Sequence, residues 1–420
     1  MLDIKFIRQN PEKVREKCKS KGFKVEIEKI LGLDEKKRAT LKSLENLRAQ
    51  KNRISKELPR LKDEKEKEKV IAQARQLDNK EKELEERFRE TEKELKKLLF
   101  NLPNLPLDGV PKGKDEEDNV VLREVGKKPV FDFQPLDHLE IGESLDIIDV
   151  KRATKISGTR FGILKREAVW LELALLNWAF EKLTKKGFIP LLPPVMLKRE
   201  MAQGTGYFEA TDEKEAYFIP SDNFFLAGTA EQPIIAMHTN EVFEEKELPK
   251  RYVGFSSCFR REAGSWGKDT RGIFRVHQFD KIEMISFCKP QDSEKEHQFF
   301  LSLQEELMRQ LKLPYRVVQI CTGDLSFPSA ASFDIETWFP SQGRFRETHS
   351  TSNCTDFQAR RLNIRYRDRT GKLNFVHTIN GTVFSQRPIL AILENYQQKD
   401  GSIKIPKILQ KRLPFKRIKR

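Results

Sequence analysis

Cys258-Phe-Arg-Arg-Glu-Ala-Gly264, continued after a Gly-containing loop by Arg275-Val-His-Gln-Phe-Asp-Lys-Ile-Glu283, is the stretch whose reading decides the fold. The runs Arg251–Phe259 and Ile273–Phe287 are strand-like, so they read as a hairpin closed by a loop that carries Gly264, Gly267 and Gly272. Alternate side chains of a strand share a face. Phe279 and Glu283 therefore lie on one side, about 13 Å apart at a separation of four residues. Arg260 on the partner strand can join them. An aromatic ring for a base, an arginine for phosphate and a carboxylate for an amine then line one sheet surface. A surface hairpin laced with cross-strand ion pairs uses the same residue types, so the hairpin alone leaves both readings open.

Working outward, Ser332–Phe339 and Leu373–Thr378 are further strand-like runs, and Ser293–Lys312 reads as a helix. Residues 167–186 form an amphipathic helix with Gly187 as its cap, followed by the extended Phe188-Ile-Pro-Leu-Leu-Pro-Pro-Val195. Strands joined by hairpins rather than regular helical crossovers predict an α+β fold, a largely antiparallel sheet flanked by helices. Ahead of it, residues 34–62 and 67–100 read as two long helices. Val70, Ala74, Leu77, Glu81, Leu84, Phe88, Thr91, Leu95 and Leu98 follow 4-3 spacing, and Leu44, Leu47, Lys51, Ile54, Leu58 and Leu61 sit at matching intervals. An antiparallel coiled-coil arm is the economical fold, each helix on the order of 45 Å long at 1.5 Å per residue. The Pro- and Gly-rich stretch from Asn101 to Asp115 ends it.

The 420 residues carry a net charge of +15, and it is concentrated. Residues 36–62 hold ten Lys/Arg against Glu45 and Glu57, and residues 401–420 hold eight and no acid, so the rest of the chain is close to neutral. The second arm helix is nearly balanced. A rigid row of cations on the first one suits successive phosphates of a nucleic acid, whereas a dimerisation coiled coil has no need of it. No apolar run reaches the ~20 residues of a membrane span. Cys18, Cys258, Cys288, Cys321 and Cys354 are odd in number and widely spaced, which fits a reducing cytoplasm and neither a disulfide framework nor a CxxC zinc site. No GxxxxGK[ST] loop, GxGxxG fingerprint or HExxH is present, so a nucleotide is held in another way.

Several strings in order then carry a resemblance. The hairpin resembles the second signature of class II aminoacyl-tRNA synthetases in the form used by bacterial-type seryl-tRNA synthetases. Gly228-Thr-Ala-Glu231 is similar to that family's serine-pocket element, and Arg344-Phe-Arg-Glu-Thr-His-Ser350 with Asp356-Phe-Gln-Ala-Arg-Arg361 to its metal and ATP strand. Ile379-Asn-Gly-Thr382, Arg387 and Glu394-Asn-Tyr-Gln397 resemble the third signature, and Pro193-Pro194 after its helix the first. The resemblance implies a serine–tRNA ligase that forms seryl-adenylate from ATP and L-serine and passes the seryl group to the 3′ end of serine tRNA, with selenocysteine tRNA as a further candidate. It implies a cytoplasmic homodimer joined around residues 165–200. The division would be a tRNA-binding domain over 1–107 with the arm at about 34–100, a linker over 108–130, a catalytic domain over 131–412 and a basic tail over 413–420.

Residue by residue, the resemblance puts Thr229, Ala230, Glu231, Arg260, Glu283 and Thr382 around serine. It puts Arg260, Arg261, Glu262, Val276, Phe279, Glu347, Thr348, His349, Ser350 and Arg387 around ATP. Glu347 and Ser350 would hold Mg²⁺, and Arg260, Glu283 and Arg387 carry the catalytic weight. The sequence departs from the family at Arg261 and His349, where serine is usual, and its third signature is one residue shorter and bulkier, with Val383 and Phe384 where small residues are usual. A paralogue that activates an amino acid for another acceptor lacks a use for the basic arm. A non-catalytic RNA-binding homologue lacks a use for Thr229, Arg260, Glu283 and Glu347.

Overall fold

The computed structural model describes residues 1–206, 216–262 and 272–420. The hairpin loop with Gly264 and Gly267 lies outside the described residues. The chain divides into two compact units, one comprising Leu2–Lys19 and Phe23–Pro103, the other Met1, Ser20–Gly22 and Asn104–Arg420.

In the first unit, α1 (Ile27–Glu57) and α2 (Glu64–Phe100) form the two-helix arm. α1 begins seven residues before the expected start at 34, because buried Ile27, Ile30 and Leu33 extend the apolar face through Gly32. Pro59 falls in the single 3₁₀ turn Leu58–Arg60 that ends α1, and Asp63 caps α2 by accepting from the Lys65 backbone N–H. Leu44, Leu47 and Leu95 are buried, and the remaining seam positions named above are half-buried. The two polar seam positions meet: Lys51 Nζ lies 2.5 Å from Glu81, which Arg48 also reaches at 2.7 Å. Lys37 likewise pairs with Glu92. The basic row is therefore partly spent on the neighbouring helix, and Lys36, Lys42, Arg53, Lys56, Arg60 and Lys62 are its exposed members with no ion pair among the described residues.

The second unit is built on eight strands, β1 (Val120–Val125), β2 (Ile189–Leu191), β3 (Lys250–Phe259), β4 (Gln278–Cys288), β5 (Tyr315–Gln319), β6 (Ala331–Phe339), β7 (Arg344–Asn353) and β8 (His377–Ser385). They lie in the order β1-β5-β6-β7-β8-β4-β3-β2, antiparallel throughout except that β2 runs parallel to β3. Helices α3 (Glu167–Thr184), α4 (Ser293–Leu311) and α5 (Gln386–Asn395) share one hydrophobic core with the sheet, built from residues such as Leu171, Trp178, Phe300, Ile282, Met284 and Phe384. Gly187, with φ at 87°, supplies the left-handed turn that ends α3.

Two differences from the sequence expectation stand out. The segment expected as a linker over 108–130 contains β1, the edge strand paired with β5, since Val120-Val-Leu-Arg-Glu-Val125 is a β-forming run hidden between Gly- and Pro-rich flanks. The segment expected as a basic tail over 413–420 is not loose: Ile403 pairs with Ile418, and Leu413 and Ile418 are buried in the main core. Its apolar residues anchor it while Lys416, Arg417, Lys419 and Arg420 face outward.

The sheet is irregular where it matters. β7 and β8 pair only at Thr351↔Gly381, Ser352↔Asn380 and Asn353↔Ile379, and beyond those rungs they separate. On β7 the register against β6 jumps from Ile335↔His349 to Glu336↔Glu347, which leaves Thr348 as an extra residue, a β-bulge. On β8 the register against β4 jumps from Glu283↔Thr382 to Ile282↔Phe384, which makes Val383 a second bulge. Residues three apart on a regular strand face opposite ways. Each bulge cancels that, so Glu347 joins Ser350, and Thr382 joins Ser385, on one face. Phe384 is turned the other way, where its ring stacks on Trp178 at 5.6 Å between centroids. The bulk of the third signature is thus absorbed by the core. Phe384→Ala is expected to cost about 3–5 kcal/mol of stability, read as a lowered denaturant midpoint for the unit that contains the sheet.

Candidate active site

On β4 the period of two puts Phe279, Lys281 and Glu283 on one face, and the ladder sets Cys258 opposite Phe279. Arg260 lies two residues beyond Cys258, and its backbone N–H donates to His277 O at 2.9 Å. Its guanidinium carbon sits 5.3 Å from the Phe279 ring centroid, and its Nε donates to Gly228 O at 3.1 Å, which fixes the direction of the fork. Arg260, Phe279 and Glu283 are therefore gathered on one surface.

Two adjoining cavities open on that surface, of about 190 and about 420 Å³. Arg260, Glu262, Lys281 and Ser350 stand on the walls of both. The smaller one is also lined by Phe274, Arg275, Val276, Phe279, Glu347, Thr348, Thr382, Ser385, Gln386 and Arg387. It sets four cations against two carboxylates, a balance that suits polyphosphate, with Phe279 available as a platform for a flat ring. The larger one adds Gly206, Thr229, Glu231, Glu283, Ser326–Ser329, Ser352 and Asn380. There three carboxylates face two cations, a balance that suits an amine.

Local contacts orient these groups. Arg387 Nη1 donates to Glu347 Oε2 at 2.8 Å and to Glu347 O at 3.1 Å, and its guanidinium lies over the Phe274 ring. The Arg387 charge holds the Glu347 carboxyl below its usual value, while burial, and then Glu347 itself, pushes Asp334 well up. Lys281 pairs with Glu283, and Arg275 reaches Glu262 at 3.0 Å. Glu231 is buried and accepts from Gln358 Nε2 at 2.7 Å. Burial, together with the charge of Glu283, drives its carboxyl up to about 7. Thr229 Oγ1 is 3.5 Å from Glu283.

Not every expected residue reaches a cavity wall. Thr382 lines the smaller cavity, across the ladder from Glu283 in the larger one. Ala230 is fully buried beside the second cavity rather than on its wall, and Arg261 is exposed and on neither wall. His349 is fully buried behind the sheet, where burial lowers its pKa to about 4. The bulge explains this: it sends Glu347 and Ser350 forward and leaves His349 to the core. Among residues the sequence reading did not select, Lys281 was signalled by its place midway between Phe279 and Glu283. Ser326–Ser329 and Gly206 carried no local signal, since only the tertiary fold brings them near.

Residues 217–396 match the family described as the tRNA synthetase class II core domain (G, H, P, S and T), and residues 1–106 match the seryl-tRNA synthetase N-terminal domain. The chain is 46% identical over 416 residues to a serine–tRNA ligase of Thermodesulfovibrio yellowstonii, covering 98% of each. It is 44% identical over 411 residues to the serine–tRNA ligase of Thermobifida fusca, covering 98% of this chain and 97% of that one. Among solved structures, the seryl-tRNA synthetase of Pyrococcus horikoshii complexed with ATP superposes with a TM-score of 0.93 at 43% identity, over 100% of this chain and 99% of that one.

Glu231 gives a pH signature. An ammonium ligand needs the ionised carboxylate, so kcat/KM for an amine substrate is expected to rise with pH through about 7 and level off above it. Glu231→Gln is expected to flatten that rise and to lower kcat/KM by at least about tenfold, the scale of a lost charged hydrogen bond. Steady-state profiles across this range check it.

Proposed function

The chain belongs to the seryl-tRNA synthetase family and is an ATP-dependent serine–tRNA ligase; from that premise we propose how its residues divide the work. ATP occupies the cation-rich cavity with adenine on Phe279 beside Val276 and Glu262. Arg260 bridges the α-phosphate and the serine carboxylate, and Arg387 meets the γ-phosphate. Serine extends into the acid-rich cavity, with its amine and hydroxyl toward Glu231, Thr229 and Glu283. The observation that carries this is the pair of cavities of opposite charge balance that share Arg260 on their common wall.

A serine carboxylate oxygen attacks the α-phosphorus, a new P–O bond forms, and the bond to pyrophosphate breaks. The attacking carboxylate is already deprotonated at neutral pH, so no base is required, and positioning with charge neutralisation supplies the rate. A terminal ribose hydroxyl of tRNA then attacks the acyl carbon, and AMP leaves. Glu347 and Ser350 offer two hard oxygen donors on one face and would hold Mg²⁺. When bound, the ion neutralises phosphate charge.

The arm supplies the RNA contact through the exposed cations of α1 and of the turn that ends it, by backbone and shape rather than base edges. The pairing of two copies is supported by an exposed apolar surface around α3 and β2 that includes Trp170, Leu173, Ile189 and Leu192, too large a set for a solvated face. Five buried cysteines, none of them in a disulfide, suit a reducing cytoplasm.

Arg260→Ala is expected to cut serine-dependent ATP–pyrophosphate exchange by at least about 100-fold, the cost of removing a preorganised donor; exchange that survives it contradicts the assignment. Arg53→Glu, Lys56→Glu and Arg60→Glu together are expected to leave that exchange intact, raise KM for tRNA at least about tenfold and reduce the salt dependence of charging. Loss of exchange in the folded triple variant would contradict the division of labour.

A further inference from the structure

Beyond the last β7–β8 rung at Thr351↔Gly381, the next residues, Ser350 and Thr382, are joined by a side chain instead of the ladder. Gln304, on α4 and fully buried, donates from its single amide nitrogen to Ser350 O and to Thr382 O, each at 2.8 Å. Both partners are carbonyls that only accept, so the orientation of the amide is forced. Its Oε1 has no hydrogen-bond partner among the described residues, a cost accepted to aim both N–H groups at the two strands.

A second link lies behind the Thr348 bulge. Thr348 Oγ1 is 3.2 Å from Ile335 O, 2.7 Å from Thr337 Oγ1 and 2.9 Å from His349 Nδ1. The carbonyl can only accept, so the Thr348 hydroxyl donates to it and takes Thr337 O–H and His349 Nδ1–H on its two lone pairs. The same imidazole meets the Phe384 ring, just past the Val383 bulge, at 6.0 Å between centroids and 63°. His349 therefore touches both bulged strands from behind.

We propose that Gln304 and His349 are positioning residues that set the spacing between the Glu347–Ser350 pair on β7 and the Thr382–Ser385 pair on β8, and so tune the site for Mg²⁺·ATP rather than for serine. The inference rests on the ATP and metal roles assigned above. Neither side chain reaches a cavity wall, and neither acts on a reacting atom. The two strands part here to admit a ligand, and without a ladder their separation must be held by side chains. This also gives His349, one of the departures from the family pattern, a role away from ATP.

Serine-dependent ATP–pyrophosphate exchange tests it on folded variants. Gln304→Leu and His349→Leu are each expected to raise KM for ATP about tenfold, the scale of one or two lost buried hydrogen bonds, with the half-saturating Mg²⁺ concentration rising and KM for serine within about twofold of the parent. His349→Asn retains an N–H near Nδ1 and is expected to stay within about threefold of the parent in KM for ATP. If Gln304→Leu does not fold, the two His349 variants carry the test. Unchanged ATP and Mg²⁺ dependence in the leucine variants, serine KM rising in step with ATP KM, or His349→Asn behaving as His349→Leu overturns the proposal. Glu347→Ala separates the two layers: should it leave ATP and Mg²⁺ dependence unchanged, the assignment of the ATP site itself falls.

Discussion

A carboxylate and a triphosphate repel, and bringing an oxygen of one onto a phosphorus of the other means cancelling that repulsion at the point of contact. Arg260 stands on the wall shared by a cation-rich cavity and an acid-rich one, where the proposed reading puts that contact. The division of charge is local. Its direction along the sheet follows from the period of two on β4, which delivers an aromatic ring, a lysine and a carboxylate in sequence to one face. Nothing about this depends on the overall +15 charge, which resides mostly on the arm and at the C-terminal end.

A sheet that was regular would not make this site. The two bulges place Glu347 with Ser350 and Thr382 with Ser385, and β7 and β8 part just where those residues face the cavity. Parting strands expose backbone groups that must be satisfied. Gln304 answers part of that demand from α4, and Phe384, stacked on Trp178, fills the space behind. Core packing and ligand geometry are therefore one problem at this point of the fold.

Much of this was legible in the sequence, for identifiable reasons. The arm was readable because its seam repeats over many turns, down to the polar pair Lys51 and Glu81, which meet as an ion pair. The hairpin face was readable because period two needs only local order. Three things were not. The start of α1 was hidden by Gly32, which suggests a break that packing overrides. β1 and the C-terminal strand pair were hidden because short edge segments depend on a partner distant in sequence. His349 was expected at ATP from the family resemblance, and a bulge one residue long sends it to the core instead. Bulges are set by tertiary register, so a string of residues does not announce them.

The most direct measurement is a crystal structure with a non-hydrolysable seryl-adenylate analogue. The account predicts the base stacked on Phe279, the bridging phosphate mimic against Arg260, and the seryl amine among Glu231, Thr229 and Glu283. An analogue bound with Arg260 and Phe279 turned away from it, or bound outside the two joined cavities, would contradict the central claim.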